Sequence, residues 1–288
     1  MGARIWTVRD ALGWTVAYFE REGVEAPRRS AEWLLSAATG LSRVEVYAYH
    51  DRPLTDEERA TLRDGVKRRA SGEPLQYVTG EVCFRHIVVQ VEPGVFIPRP
   101  ETEVLVDAAL ELVRDVRAPL VLEACTGSGC IACAIATERP DALVVATEIS
   151  PGSASVARAN AERLGVGDRV SVLECDLFAD APAHLRGSVD LVVSNPPYIP
   201  SGDLPSLPAE VLGFEPHLAL DGGPDGLDLV RRLAADAAAW LAPGGGFAVE
   251  IDETCGSGAL AGVEEWYQEV RVIRDLAGRE RVVVGRKA

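Results

Sequence analysis

No window of the sequence approaches the run of about eighteen apolar residues that a membrane-spanning helix needs, and Met1 to Asp10 lack a basic stretch leading into an apolar one. The reading is of neither a membrane span nor a signal peptide, with the cytoplasm as the default compartment. Positive charge is also in short supply: 29 Lys+Arg face 44 Asp+Glu, for a net charge of −15. Such a balance repels a polyanion at long range and argues against a large, sequence-independent phosphate footprint on DNA or RNA. The shortage is uneven, because residues 1–72 carry 12 Lys+Arg against 11 Asp+Glu, so an anionic partner would have to meet that segment. Histidines number only four, and His86 has neither a second His nor a carboxylate pair at metal spacing, which leaves it a surface or hairpin side chain. Cys125, Cys130 and Cys133, with Cys175 as a fourth, reproduce an iron–sulfur spacing. They fall at a strand end, a glycine turn and a buried helix face, where Cys serves as a small hydrophobe. No repeat or low-complexity segment is present.

What the chain does contain is organised by periodicity. From Thr7 to Gly72 apolar residues recur at helical spacing, and Thr7 with Asp10, Pro27, Ser42 with Glu45, and Thr55 with Glu58 supply four helix starts. Residues 1–72 thus read as a small helical domain without a catalytic constellation, either a folding cap or a docking module, and Arg63, Lys67, Arg68 and Arg69 read as a solvated face. Residues 73–100 change to glycine punctuation around a strand-like His86–Val91, a β-hairpin linker. A helix follows over Glu101–Val116. From residue 118 strands near 119–124, 142–147, 169–174, 189–194 and 245–251 alternate with helices at 130–138, 151–164, 226–241 and 256–266. That alternation predicts an α/β fold with a mostly parallel sheet covered on both faces, filling the domain 101–288. Strands 269–274 and 280–285 are joined by too short a turn for a parallel crossover, so that pair is antiparallel.

Two stretches carry the chemistry. Glu123-Ala124-Cys125-Thr126-Gly127-Ser128-Gly129 ends the first strand and runs into a helix, an arrangement that lets a nucleotide approach the backbone at the positive end of the helix. Glu148, at the end of the second strand, is placed to hold a ribose diol, and Asp176 with Leu177, after the third, to meet an adenine amino group beside an apolar contact. Gly127-x-Gly129-x-x-Ala132 alone also fits a dinucleotide loop. Glu123, Asp176 and the antiparallel final pair favour S-adenosyl-L-methionine over NAD. The second stretch is Asn195-Pro196-Pro197-Tyr198, directly after the apolar strand Asp190–Ser194. Prolines end the strand and leave the Asn amide, the Pro196 carbonyl and a flat ring at its carboxyl edge, a set suited to a planar NH2-bearing group. Phe96-Ile97-Pro98-Arg99-Pro100-Glu101-Thr102-Glu103 places Arg99 between prolines just before a helix, either as a plain N-terminus whose Glu residues the dipole favours or as a lip on the same site, and the Pro- and Gly-rich loop 199–225 reads as a lid.

These motifs, together with Glu73-Pro74-Leu75-Gln76-Tyr77, Glu215-Pro216, Leu218–Gly223 and Asp275-Leu276-Ala277-Gly278-Arg279-Glu280-Arg281, cover nearly the whole chain. In them the sequence resembles the protein glutamine methyltransferases that modify peptide-chain release factors. The resemblance implies a Rossmann-like, seven-stranded S-adenosylmethionine-dependent methyltransferase domain and an N-terminal helical domain that grips the release factor. It also implies methylation of the side-chain nitrogen (N5) of Gln in the Gly-Gly-Gln loop of class-1 peptide chain release factors, which modulates translation termination. No direct contact with nucleic acid or membrane is expected. Cofactor contacts fall to Phe96, Arg99, Glu123, Thr126, Gly127, Gly129, Glu148, Asp176, Leu177 and Asn195, and acceptor contacts to Asn195, Pro196, Pro197 and Tyr198. The family pattern has Gly where this chain has Cys125, Asp at Glu148 and Gly at Asp252. Adenine-type amino methylation of nucleic acid needs a flipped base and a basic groove, which the acidic catalytic half speaks against. A non-catalytic binding protein is the alternative from another class, and intact Asn195 and Tyr198 count against it.

Overall fold

Residues 5–288 are described in a computed structural model, and they divide into two compact units. In the first, running to Glu81, the local start signals are realised as hydrogen bonds. Thr7, Ser42 and Thr55 form reciprocal capping boxes with Asp10, Glu45 and Glu58 at the heads of α1 (Val8–Glu22), α3 (Arg43–Ala48) and α4 (Asp56–Ala70). Pro27 opens α2 (Pro27–Thr39). Val8, Phe19, Ala31, Leu34, Leu35, Val46 and Val66 close around one another as the core of this unit. The short α5 (Leu75–Thr79) packs on α2 and α4, which is why the unit extends past Gly72.

Two of the four basic residues assigned to a solvated face do something else. Arg69 is buried, donating to the Glu73 carbonyl at 2.9 Å and pairing with Glu210 at 2.7 Å, while Arg68 pairs with Glu73 and donates to the Tyr77 carbonyl. The reversal has a physical reason: a chain that turns back at Gly72 leaves carbonyls facing the end of α4, and Arg forks satisfy them. Arg63 and Lys67 remain exposed.

The second unit begins with a two-stranded hairpin, β1 (Glu81–Phe84) and β2 (Ile87–Gln90). A 3-10 turn at Pro100–Thr102 leads into α6 (Glu103–Leu112), shorter than the helix expected, because Arg99 before Pro100 is held extended and the chain leaves the helix at Val113. Then follow β3 (Leu120–Ala124), α7 (Cys130–Glu138), β4 (Leu143–Glu148), α8 (Pro151–Arg163), β5 (Val170–Glu174) and β6 (Val189–Ser194). After the short α9 (Ala209–Phe214), whose segment 208–214 clusters with the first unit, come α10 (Asp228–Ala238), β7 (Leu241–Glu250), α11 (Gly256–Glu264), β8 (Gln268–Arg274) and β9 (Glu280–Arg286).

The seven strands run in the order β5-β4-β3-β6-β7-β9-β8. All neighbours are parallel up to β7, and β9 is antiparallel to both β7 and β8. Side chains alternate between two cores. Val121, Leu191, Val193, Val282 and Val284 face one, and Leu122, Val192, Phe247 and Val283 face the other. Burial on both faces explains the unbroken apolar runs of these strands. Strand order reverses between β3 and β6, so successive connections leave in opposite directions and open a crevice at the carboxyl ends of those two strands. Ala124 lies beside Ser194 in the register, which brings the loops that follow, 125–129 and 195–198, together at that crevice.

Candidate active site

The loop after β3 is held open by backbone geometry and by carboxylates beneath it. Gly127 and Gly129 have φ of +56° and +79°, values that glycine adopts without strain. A side chain at Gly129 would come within 3.1 Å of Ala157, so the loop sits directly on α8, whereas nothing stands over Gly127. Cys125 also has a positive φ, +58°, which gives a physical reason for the glycine of the family pattern at this position. Its thiol is pushed up to about 12, chiefly by burial. Glu123 is fully buried and takes the Thr126 hydroxyl at 2.8 Å. Burial drives its carboxyl up to about 8, so it holds its proton at neutral pH. Glu148 accepts from the Gly127 amide at 2.8 Å through one oxygen and from the Ser150 amide at 2.9 Å through the other. This carboxylate therefore anchors the loop as well as standing at the end of β4. Asp176 is half exposed and pairs with Arg232 at 2.8 Å. Leu177 is buried next to it at φ +46°.

Asn195, Pro196, Pro197 and Tyr198 leave β6 beside this loop. Asn195 donates from Nδ2 to the Thr102 hydroxyl at 3.3 Å, and Tyr198 donates its hydroxyl to Glu250 at 3.1 Å. Burial, with Glu250 next, raises the phenol well above its ordinary range and keeps it protonated. The backbone of Tyr198 is gripped by the following loop. Gly222 donates to the Ile199 carbonyl at 2.8 Å, and Gly222 and Gly226 stand so close that a Cβ on either would lie under 3 Å from Tyr198 backbone atoms. Arg99 lies 5.0 Å over the Phe96 ring and pairs with Glu215, whose other oxygen accepts from the Ile97 amide. The structure therefore brings Asn195, Tyr198 and the glycine loop to one crevice. It gives Glu123 no solvent-accessible surface and engages Arg99 and Asp176 in ion pairs of their own.

Three residues of this neighbourhood escaped the sequence reading as site residues: Thr102, Glu250 and Arg281. Thr102 lies in the Phe96–Glu103 motif and Arg281 in the Asp275–Arg281 motif, but only tertiary packing shows what they touch. Glu250, at the end of β7, has the same strand-end placement that singled out Glu148, and that signal could have found it.

Residues 10–80 match the family model of the PrmC N-terminal domain, and residues 121–213 match that of a methyltransferase domain. In fold, the chain is similar to the hMettl16 catalytic domain solved in complex with an RNA hairpin, with a TM-score of 0.55 at 14% identity over 82% of this chain and 84% of that one. Sheet order, crevice and matched domain define a Rossmann-like methyltransferase. Over 247 residues the chain is 48% identical to a release factor glutamine methyltransferase from Geobacter sulfurreducens, covering 86% of this chain and 84% of that protein. A release factor glutamine methyltransferase from Moorella thermoacetica is 44% identical over 278 residues, 96% of each chain. The chain belongs to the release factor glutamine methyltransferase family.

Proposed function

We propose that this enzyme transfers a methyl group from S-adenosyl-L-methionine to the side-chain nitrogen N5 of the glutamine in the Gly-Gly-Gln loop of class-1 peptide chain release factors. The observation that carries the reading is the meeting of two loops at one crevice: an open glycine turn after β3, and after β6 an Asn amide beside the carbonyl of a Pro that has no N–H. The open space over Gly127 and the carboxylate of Glu148 suit the cofactor, whose sulfonium supplies an electrophilic methyl. Thr126, Gly127, Gly129 and Glu148 would hold it, with Asp176 and Leu177 at the adenine and Phe96 and Arg99 at the rim. Glu123 braces the loop from below.

An amide nitrogen is a poor nucleophile, so the chain's task is alignment and exclusion of water. The Asn195 side-chain oxygen and the Pro196 carbonyl accept the two N–H bonds of the acceptor. They orient its nitrogen and favour the positive charge that develops there. Tyr198 stacks on the amide plane, and Pro197 stiffens the turn between them. Residues 1–72 dock the release factor, a cytoplasmic partner. In support, a cavity of about 230 Å³ in the first unit is lined by Trp6, Trp14 and Leu62, with Arg59 and Arg63 among its other residues. Mass spectrometry of release factors incubated with enzyme and methyl donor tests the reading. A single methyl on the Gly-Gly-Gln glutamine is expected. Methylation of a nucleic acid and not of the release factor would overturn it.

A further inference from the structure

Beneath the Asn-Pro-Pro-Tyr loop lie two buried polar side chains, Thr102 and Glu250, that none of the roles above uses. They belong to a polar chain. It starts at Asn195, whose Nδ2 donates to Thr102 Oγ1 at 3.3 Å. It ends at Glu250, fully buried at the end of β7, which accepts the Tyr198 hydroxyl at 3.1 Å through Oε1 and is left with a buried, unpartnered acceptor at Oε2. The Thr102 hydroxyl, buried and already the acceptor for Asn195, is also the foremost of the groups that lower the Glu250 carboxyl against its burial. Arg281, on β9, adds a favourable cationic field and is itself tied to Asp275 at 3.3 Å.

Hydrogen-bond polarity in such a chain is set from one end. An ionised carboxylate can only accept, so it draws the Thr102 proton toward itself. Thr102 is then left as an acceptor and takes an N–H from Asn195. The Asn195 amide is thereby locked with its nitrogen toward Thr102 and its oxygen free. We propose that Thr102 and Glu250 are positioning residues that fix which way the Asn195 amide faces, so that its oxygen, not its nitrogen, meets the acceptor's N–H, while Glu250 pins the Tyr198 ring through the same carboxylate. The Asp275–Arg281 turn gains a role by the same account, since it delivers the arginine that favours ionised Glu250. The inference rests on the acceptor-site reading of Asn195.

Protonating Glu250 would reverse the chain. A neutral carboxyl gains an O–H that can donate to Thr102; Thr102 is then free to donate to Asn195, and the amide is no longer held with its oxygen toward the acceptor. Burial raises the Glu250 carboxyl to about 7, with Thr102, Tyr198 and Arg281 lowering it and Glu101 raising it. Cys130 on α7 also faces it, its thiol raised mainly by burial, and Arg99 faces the Tyr198 phenol. Turnover should therefore fall on the acid side of neutrality.

The experiment compares full-length enzyme carrying Thr102→Ser, Thr102→Val, Glu250→Gln and Asn195→Ala, with release factor as acceptor. It measures kcat across the neutral pH range, cofactor affinity by calorimetry and Tm as a folding check. Thr102→Val should lower kcat by about a hundredfold, the scale of a misplaced reacting group, with cofactor affinity unchanged. Thr102→Ser, which restores the hydroxyl, should stay within a few-fold of the unmodified enzyme. The acid limb of the kcat profile should be lost in Glu250→Gln. Equal activity of the Ser and Val variants beside an inactive Asn195→Ala would overturn the inference and leave the acceptor site standing, as would an acid limb that persists unchanged in a folded Glu250→Gln enzyme. If Glu250→Gln does not fold, the Thr102 pair decides alone. An active Asn195→Ala enzyme would overturn the acceptor-site reading and this inference with it.

Discussion

The two loops that meet at the crevice are supported by the same device in different electrostatic surroundings. Under the glycine loop, Glu123 is fully buried and receives the Thr126 hydroxyl; under the Asn-Pro-Pro-Tyr loop, Glu250 is fully buried and receives the Tyr198 hydroxyl. Their neighbours differ. Burial raises both carboxyls, Glu123 to about 8 with a small further push from Glu148, and Glu250 to about 7 against the lowering effect of Thr102, Tyr198 and Arg281. A neutral carboxyl can brace a loop by shape and hydrogen bonding alone, whereas one that hovers at ionisation also sets the direction of the hydrogen bonds above it. The glycine loop is braced in the first way, with its Gly127 amide and the Ser150 amide held by Glu148.

The largest expected effect lies at Asn195. Its replacement by Ala should raise the barrier by about 2.7–4 kcal/mol, a hundred- to a thousandfold in kcat, as loss of one oriented hydrogen-bonding group does elsewhere. Cofactor affinity measured by calorimetry should stay unchanged, and a parallel loss of both would merge the two loops into one functional unit. On the other side of the crevice, Glu148→Ala should weaken S-adenosylmethionine binding by about 1–3 kcal/mol, because it removes the anchor of the Gly127 amide together with the charged acceptor. Unchanged affinity would place the ribose elsewhere.

Next in size is a pH effect on stability. Glu123 is held at about 8 when folded, well above the ordinary Glu value of about 4.3. Between those limits the folded chain keeps a proton that the unfolded chain has released. Stability from this group is thus full at acid pH and lost as pH rises toward 8, by about 1.4 kcal/mol per pH unit. Glu123→Gln should flatten that slope in denaturant melts and leave the enzyme more stable than its parent at pH 8. A slope that survives the change would assign it to other groups. Smallest is Cys125→Gly. Relief of a left-handed backbone is worth about 1–2 kcal/mol, offset by the flexibility glycine gains when unfolded, about 0.5–1 kcal/mol, so Tm should rise slightly. A fall would mean that packing of the thiol outweighs the strain.

Much of this architecture was legible in the chain because its signals are local. Thr7, Ser42 and Thr55 announce helices through partners three residues away, and β3 to β6 announce themselves through runs that only a doubly covered sheet needs. The placement of Asn195 and the Gly127 turn beside one another was legible for a related reason: a strand end is visible in sequence, and adjacent parallel strands bring their carboxyl ends to the same edge of the sheet. Thr102 was not, because its meaning comes from a partner 93 residues away. Arg69 failed in the same way, since nothing near it in sequence tells that Glu210 will meet it. The helix expected over 226–241 ended early because β7 starts at Leu241, among small and glycine residues that pattern alone leaves ambiguous.

The last strand, β9, fills the gap between β7 and β8 instead of adding to an edge. During synthesis, then, β7 is made and waits with one side unpaired, and β8 has no place in the sheet until residues 280–286 emerge from the ribosome. A nascent chain halted anywhere between β7 and that point would expose an apolar strand edge, a template for pairing with a neighbouring copy. The same seven residues carry Arg281 to Glu250, so a polypeptide that has not yet hidden its sticky edge has not yet assembled the support under Tyr198 either. Ribosome-bound intermediates should be aggregation-prone and inactive together, and both conditions should end with one folding event.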